Sequence, residues 1–420
     1  MLSQLKKNKI IKIIFNIFLF FIFSSQLLAS NKELNIKIQN NPIESSFFWL
    51  EKNNFGRNIN KLNFSVDLAI NKGRIEYFTS IFSGLNDVNQ KNIYINEIYV
   101  KYDILESIFL RTGKYYRDFS NYLNDNLSSG SMLISNNARA IPKVGIVGSQ
   151  NINTNLMIDF GISHSFLNKS KNYIKAPYLH EKFVYLKFAN NHYEFGAGFV
   201  HEAIWAGSTI SDGRQPSSFK DFLKVFIAAD EPLRDNQPHE NAIGNHLGIW
   251  DFYFIKKNED KLIKFYHQHF FEDSSGLRFD NKWDGLWGFE IFSEKFDTNL
   301  LVEYLDTSNQ NIDPPYVEDA YYNHWIYIDG WSYKGNTIGN PFIKSSEVNP
   351  LQVLYFGLKS KISEKLILKS IFSKNIDKAS ELSYSVETLY SINQNFSFNL
   401  FFVNNLQNQT SLGFGLNWML

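Results

Sequence analysis

The chain has 420 residues, with 42 Lys and Arg against 42 Asp and Glu, no Cys, and 16% aromatics that include 39 Phe. That aromatic share excludes a disordered chain, the lack of Cys excludes disulfides, thiol chemistry and Cys-bound zinc, and the balanced charge leaves no footprint for nucleic acid. Past residue 30 no apolar run is long enough to cross a bilayer as a helix, which excludes a helical membrane protein.

Lys6, Lys7, Lys9 and Lys12 precede the apolar run from Ile13 to Phe23, and Leu27-Leu28-Ala29 closes it on a small residue. A basic start, a short apolar centre and a small residue at the cut predict a secretory signal peptide over residues 1–29. The run is short and broken by Asn16, which argues against a membrane anchor. Its removal takes four Lys and no acid, so the exported chain is mildly acidic.

From there the dominant period is two. Leu62, Phe64, Val66, Leu68 and Ile70 alternate with Asn63, Ser65, Asp67 and Ala69; Leu156 to Ile162 and Tyr193 to Phe199 repeat the pattern. The last segment is the cleanest, with Leu412, Phe414, Leu416, Trp418 and Leu420 against Gly413, Gly415 and Asn417. A soluble sandwich alternates with its apolar side on a core. In a membrane barrel that side faces lipid and the polar side a wet lumen, where Asp67, Asp159, Glu194 and Glu387 are tolerable.

Loop lengths decide between them. The strands predicted are 35–39, 61–70, 74–83, 92–102, 107–116, 143–150, 154–163, 181–188, 191–201 and 245–255. They continue through 261–271, 284–291, 298–306, 350–360, 365–374, 382–391, 395–404 and 410–420. Tight connections such as Asn71-Lys72-Gly73 and Ala189-Asn190 alternate with long ones such as 117–142, 202–244 and 307–349. Short turns at one rim and long loops at the other are how outer-membrane barrels are built. The expected fold is therefore all-β, an antiparallel transmembrane barrel of about eighteen strands. Residues 30–60 form an N-terminal segment with the first short strand, and residues 61–420 form the rest of the barrel. Segments 74–83 and 350–360 carry apolar residues on both faces. Tyr115, Tyr116, Trp250, Tyr253, Tyr266, Trp287 and Trp418 lie where aromatic girdles would sit.

Four segments carry a family resemblance. They are Leu127-Ser128-Ser129-Gly130-Ser131-Met132 with Asn137 to Pro142, Glu240 to Gly248, Gly285 to Glu290, and Glu303-Tyr304-Leu305 onward through Tyr321-Tyr322-Asn323-His324, Gly330-Trp331-Ser332-Tyr333 and Gly339-Asn340-Pro341-Phe342. Together, in this order over residues 90–360, they resemble the Wzi family of outer-membrane capsule-assembly proteins. The resemblance implies an eighteen-stranded barrel that acts as a lectin for capsular polysaccharide, neither an enzyme nor an export channel. Some relatives carry a periplasmic helical bundle, for which residues 30–60 are too short, and Leu420 stands where many barrels end in an aromatic.

A saccharide site needs aromatic faces for sugar C–H groups and polar side chains for hydroxyls. Loop 202–244 offers Trp205, Arg214, Asp235, Asn236, His239 and Glu240; loop 307–349 offers Tyr316, Tyr322, His324, Trp325, Asp329, Trp331 and Tyr333; Arg278 and Trp283 lie between them. The competing reading is that long loops over a wide barrel need aromatic cores of their own. Phe219, Phe222, Leu223 and Phe226 recur at helical spacing behind Ser218 and Asp221, predicting an amphipathic helix that lids the lumen. Arg111 and Lys114 read as lumen cations paired with acids. His267 and His269 share a strand face but lack a third metal ligand at fixed spacing. No Gly-x-Ser-x-Gly elbow occurs, and neither catalysis nor a cofactor is expected. The partners expected are capsular or extracellular polysaccharide and outer-membrane lipid, with the barrel a monomer. The alternative is a diffusion porin or substrate-specific channel, which charged lumen rings would favour.

Overall fold

The structure is a computed structural model that describes residues 31–42, 47–58, 60–85, 91–229, 242–272, 274–310, 321–377, 382–404 and 409–420. The segment expected to be a signal peptide lies outside these residues. Eighteen antiparallel strands form one closed sheet. In chain order they begin Asn31–Asn40 (β1), Leu62–Lys72 (β2), Ile75–Leu85 (β3), Lys91–Leu105 (β4), Ile108–Tyr115 (β5) and Ile141–Asn151 (β6). Leu156–Phe166 (β7), Tyr178–Ala189 (β8), Tyr193–Trp205 (β9), Asn245–Lys257 (β10), Lys261–Phe271 (β11) and Gly285–Ser293 (β12) follow. Thr298–Asp306 (β13), Gln352–Ser363 (β14), Leu366–Asn375 (β15), Leu382–Ser391 (β16), Phe396–Asn404 (β17) and Thr410–Met419 (β18) complete the wall. β18 returns to β1, with Asn35 opposite Met419 and Asn40 opposite Phe414, so the wall has no free edge.

Alternation sorts the side chains. Val184, Leu186 and Phe188 on β8 and Leu412, Phe414 and Leu416 on β18 stand exposed on the outer surface. An apolar belt of this kind in a closed sheet is stable only against hydrocarbon. The lumen side holds the polar partners: Lys187 pairs with Asp159, and Lys257 reaches Glu194 at 3.1 Å. Lys114 is a correction. It has the outward parity of β5, while Arg111 points inward and meets Asp118 at 2.8 Å.

The apolar residues on both faces of β3 and β14 have a cause. Phe82 of β3 lies under the Arg57 guanidinium at 3.3 Å, and Tyr355 of β14 packs 5.5 Å from Trp49. Burial lowers the Arg57 pKa to about 10. Residues 47–58, with the short helix Phe48–Glu51 (α1), thus fold into the lumen. The girdle expectation is likewise corrected in part. Tyr115, Tyr253 and Tyr266 are buried in the lumen core, whereas Trp250, Trp287 and Trp418 have outward parity.

The predicted helix forms at Phe219–Phe226 (α2), with a full capping box between Ser218 and Asp221. It does not lid the lumen. Trp205, His164 and His180 have outward parity on β9, β7 and β8, and Phe222 of α2 packs against them at 5.4, 6.0 and 5.2 Å. α2 therefore lies on the outside of the wall near the long-loop rim. It covers a polar patch that would otherwise meet lipid at high cost.

Candidate functional site

The lumen is filled by the β5–β6 connection, residues 116–140, which dips into the barrel instead of standing above it. Each polar wall residue it meets supplies a directional bond. The Ser128 hydroxyl and Ser129 N–H donate to Glu303 of β13, both at 2.7 Å, and the Tyr266 hydroxyl donates to the same carboxylate. Asn124 donates to Glu290 at 2.9 Å, and Lys264 bridges Glu290 and the Tyr122 carbonyl, each at 2.6 Å. Ser120, Tyr122 and Tyr185 all donate to Asp251 of β10. Gln268 accepts from the Met132 N–H at 2.9 Å. Buried polar groups that are fully paired in this way fix one arrangement of the loop. Burial raises the Asp118 carboxyl above its ordinary pKa although Arg111 lies beside it.

The β13–β14 connection closes over this plug. The Trp331 indole donates to the Leu133 carbonyl at 2.9 Å, and the Tyr322 hydroxyl donates to the Met132 carbonyl and accepts from the Asn340 N–H. Gly330, at φ +60, lets the chain turn where an added Cβ would stand 2.2 Å from the Tyr322 carbonyl oxygen. Tyr322, Trp331 and Tyr333 are buried in this core. The same connection meets Asp284, the residue before β12, which accepts from the Tyr321 hydroxyl and the Asn309 N–H; burial pushes its pKa up to about 6.

The remaining predicted residues separate into two groups. Trp325 is 53% exposed and stacks on His324, whose Nδ1 accepts from the Ile326 and Tyr327 N–H groups. Asp329 of the same connection accepts from Asn172 at 2.6 Å, and the Lys334 N–H donates to Asn168 at 2.9 Å. The β13–β14 connection thus carries an exposed aromatic face and bonds the β7–β8 connection through Asp329 and Lys334. Arg214 is exposed on a small sheet in which Ser208–Thr209 pairs with both 173–175 and Gly213–Arg214. The other group lies elsewhere. Trp205 is buried beneath α2; Trp283, 62% exposed, leans on outward Trp287; Arg278 is exposed and paired with Asp280 at 3.1 Å. His239, with Asp235, Asn236, Glu240 and Tyr316, lies outside the described residues. His267 stacks on Trp287 and His269 on Phe279, and among the described residues no three His, Asp or Glu gather as a metal centre.

A family model described as capsule assembly protein Wzi matches residues 41–374. The chain belongs to the Wzi family. Among solved structures, Wzi of Escherichia coli, described as a carbohydrate-binding β-barrel of the outer membrane involved in group 1 capsule assembly, aligns with a TM-score of 0.60. The identity is 14%, over 93% of this chain and 84% of that one. A Rh. blastica porin variant and a loop-deletion form of Vibrio cholerae OmpT also align over 93% of this chain and 99% of theirs. Their TM-scores are 0.37 and 0.34, at 8% and 7% identity. No curated protein sequence matches the chain. This Wzi-family chain is thus an outer-membrane barrel whose family is named for assembling capsule.

Three of the four family-like segments meet inside the lumen. Ser128 and Ser129 bind Glu303, Asn340 donates to the Gly130 carbonyl at 3.0 Å, and Glu290 receives Asn124. Sequence reasoning missed this plug role, although the polar run Leu127 to Asn137 inside a long connection was its signal.

Proposed function

We propose that this Wzi-family barrel binds capsular or extracellular polysaccharide at its extracellular side and helps hold the polymer on the cell surface. The observation that carries the reading is the exposed Trp325, stacked on His324 in the connection that closes over the plug, with Asp329 four residues on and bonded to Asn172. An indole face covers the apolar side of a sugar ring, and carboxylate and amide groups exchange hydrogen bonds with its hydroxyls. One such patch is weak, but a repeating polymer engages many barrels at once, and that multiplies the hold. A lumen packed with bonded loop also argues against the porin alternative, which needs a water-filled path.

The test is a titration of the detergent-purified barrel with polysaccharide from its own cells. Trp325→Ala should weaken binding about tenfold, about 1.4 kcal/mol, with no change in unfolding. Trp331→Ala should lower stability by about 3–5 kcal/mol, since its indole sits in the plug core. A deletion strain that keeps all its polysaccharide cell-bound would refute the tether.

A further inference from the structure

The outside of the wall bears a cleft that polysaccharide binding does not use. Between α2 and strands β5 to β7 it forms an open groove of about 530 Å³. Leu110, Val144, Ile146 and Ile162 line its wall side, and Phe219 and Phe222 line its helix side. Those four wall residues have the parity that faces hydrocarbon, so the cleft is continuous with the lipid-facing surface. Its volume falls within the ~300–1,000 Å³ of small-molecule sites. The helix turns Leu223, and just past its end Ile227, away from the wall, 50% and 71% exposed. A short amphipathic helix with such a face is built to lie in the plane of a membrane interface.

Charge identifies the leaflet lipid. The cleft opens at the rim of the long loops, which is the outer leaflet. Segments 167–177 and 206–226 beside it hold six Lys and Arg against two Asp. The Lys175 ammonium lies 5.9 Å from the Tyr178 ring, which packs on Trp205 at the back of the cleft. The Lys182 ammonium stands 4.2 Å over the Phe226 ring of α2. Cations beside an apolar slot suit a lipid whose head carries phosphate, and a head with more than one phosphate gains from more of them.

We propose that this cleft takes an acyl chain of a phosphorylated, multi-acyl glycolipid of the outer leaflet, with the neighbouring Lys and Arg side chains holding its phosphates. Lipid so held clamps α2 against the wall and anchors that arc of the barrel. The proposal rests on the membrane position of the wall and stands independently of what the plug face binds.

The experiment is native mass spectrometry of the full barrel in detergent, titrated with bisphosphorylated hexa-acyl lipid A, its dephosphorylated form, or phosphatidylglycerol. One lipid A should remain bound to the unaltered protein, and phosphatidylglycerol should bind at least tenfold more weakly. Val144→Trp, which fills the cleft from an outward position, and Lys220→Gln with Lys224→Gln should each weaken lipid A about tenfold. Dephosphorylated lipid should bind the unaltered protein no better than lipid A binds the lysine variant. Circular dichroism checks that each variant folds; should Val144→Trp fail, the lysine variant alone decides. Equal binding of lipid A by the variants, or equal affinity for phosphatidylglycerol, overturns the proposal.

Discussion

Glu303 and His180 are both buried polar side chains of one barrel wall, turned to opposite sides. Glu303 faces the lumen and accepts from Ser128, Ser129 and Tyr266. His180 faces outward and is covered by the rings of Phe222 and Phe226, at 5.2 and 5.5 Å. Inside, the cover is directional: each donor has one place, and the plug is held in one arrangement. Outside, the cover is an apolar lid whose binding is set by area and not by geometry. The lumen should therefore respond sharply to removal of a single polar atom, and the outer arc only to loss of the helix as a whole.

The largest expected effect tests the inner half of that contrast. Glu303→Ala strands three buried donors, at about 1–3 kcal/mol each, so a loss on the order of 5 kcal/mol in urea unfolding is expected. It should also loosen residues 116–140 enough to give ion conductance in planar bilayers, where the unaltered barrel stays silent. A Glu303→Ala barrel that unfolds at the original urea midpoint would remove the case for a plug pinned by directional bonds. Next comes the buried pair Lys143–Glu181, whose Nζ lies 2.7 Å from Oε2. Lys143→Met leaves Glu181 without its cation, with only the Ser163 hydroxyl still donating to it, which should cost about 3–5 kcal/mol. Adding Glu181→Leu should recover most of it, because an apolar pair of similar volume is tolerated where a lone charge is not. Equal stability of the single and double variants would mean the pair is not coupled.

The wall was legible because a two-sided sheet writes its period into every strand. Eighteen segments were found, and even Asn35 to Gln39, a fragment in the sequence, proved to lie mostly in the second half of β1. Loop alternation was legible for the same reason: one rim has room only for tight turns. The lumen contents were not, since strand alternation tells only that Glu303 faces inward, not what meets it there. β3 and β14 held the clue, because apolar residues on a lumen face require something packed against them. The side on which α2 lies was illegible for a different reason. An apolar stripe on a helix fits an outer wall as well as a plug, and only the outward parity of Trp205, His164 and His180 decides. Of the candidate saccharide residues, sequence composition could not separate Trp325 from Trp331, which lie six positions apart with one exposed and one in the core.

The smallest effect tests the outer half. α2 has only eight residues, so its ends carry much of its local stability. The Asp221 N–H donates to the Ser218 hydroxyl at 3.2 Å, and the Ser218 N–H donates to the Asp221 carboxylate at 2.8 Å. Ser218→Ala should cost about 1 kcal/mol, read as faster amide hydrogen exchange across 219–226 with no change in strand protection. The bonds from Ser218 hold the Asp221 carboxyl below its ordinary pKa. A depressed carboxylate stabilises above its unfolded value of about 3.9 and loses that contribution as pH falls through the folded value. Exchange in α2 should therefore rise below the usual carboxylate range in the unaltered protein and vary less with pH in Ser218→Ala. If the plug segment 116–140 loosened in step with α2, the two covers would be one cooperative unit, and the contrast between them would fail.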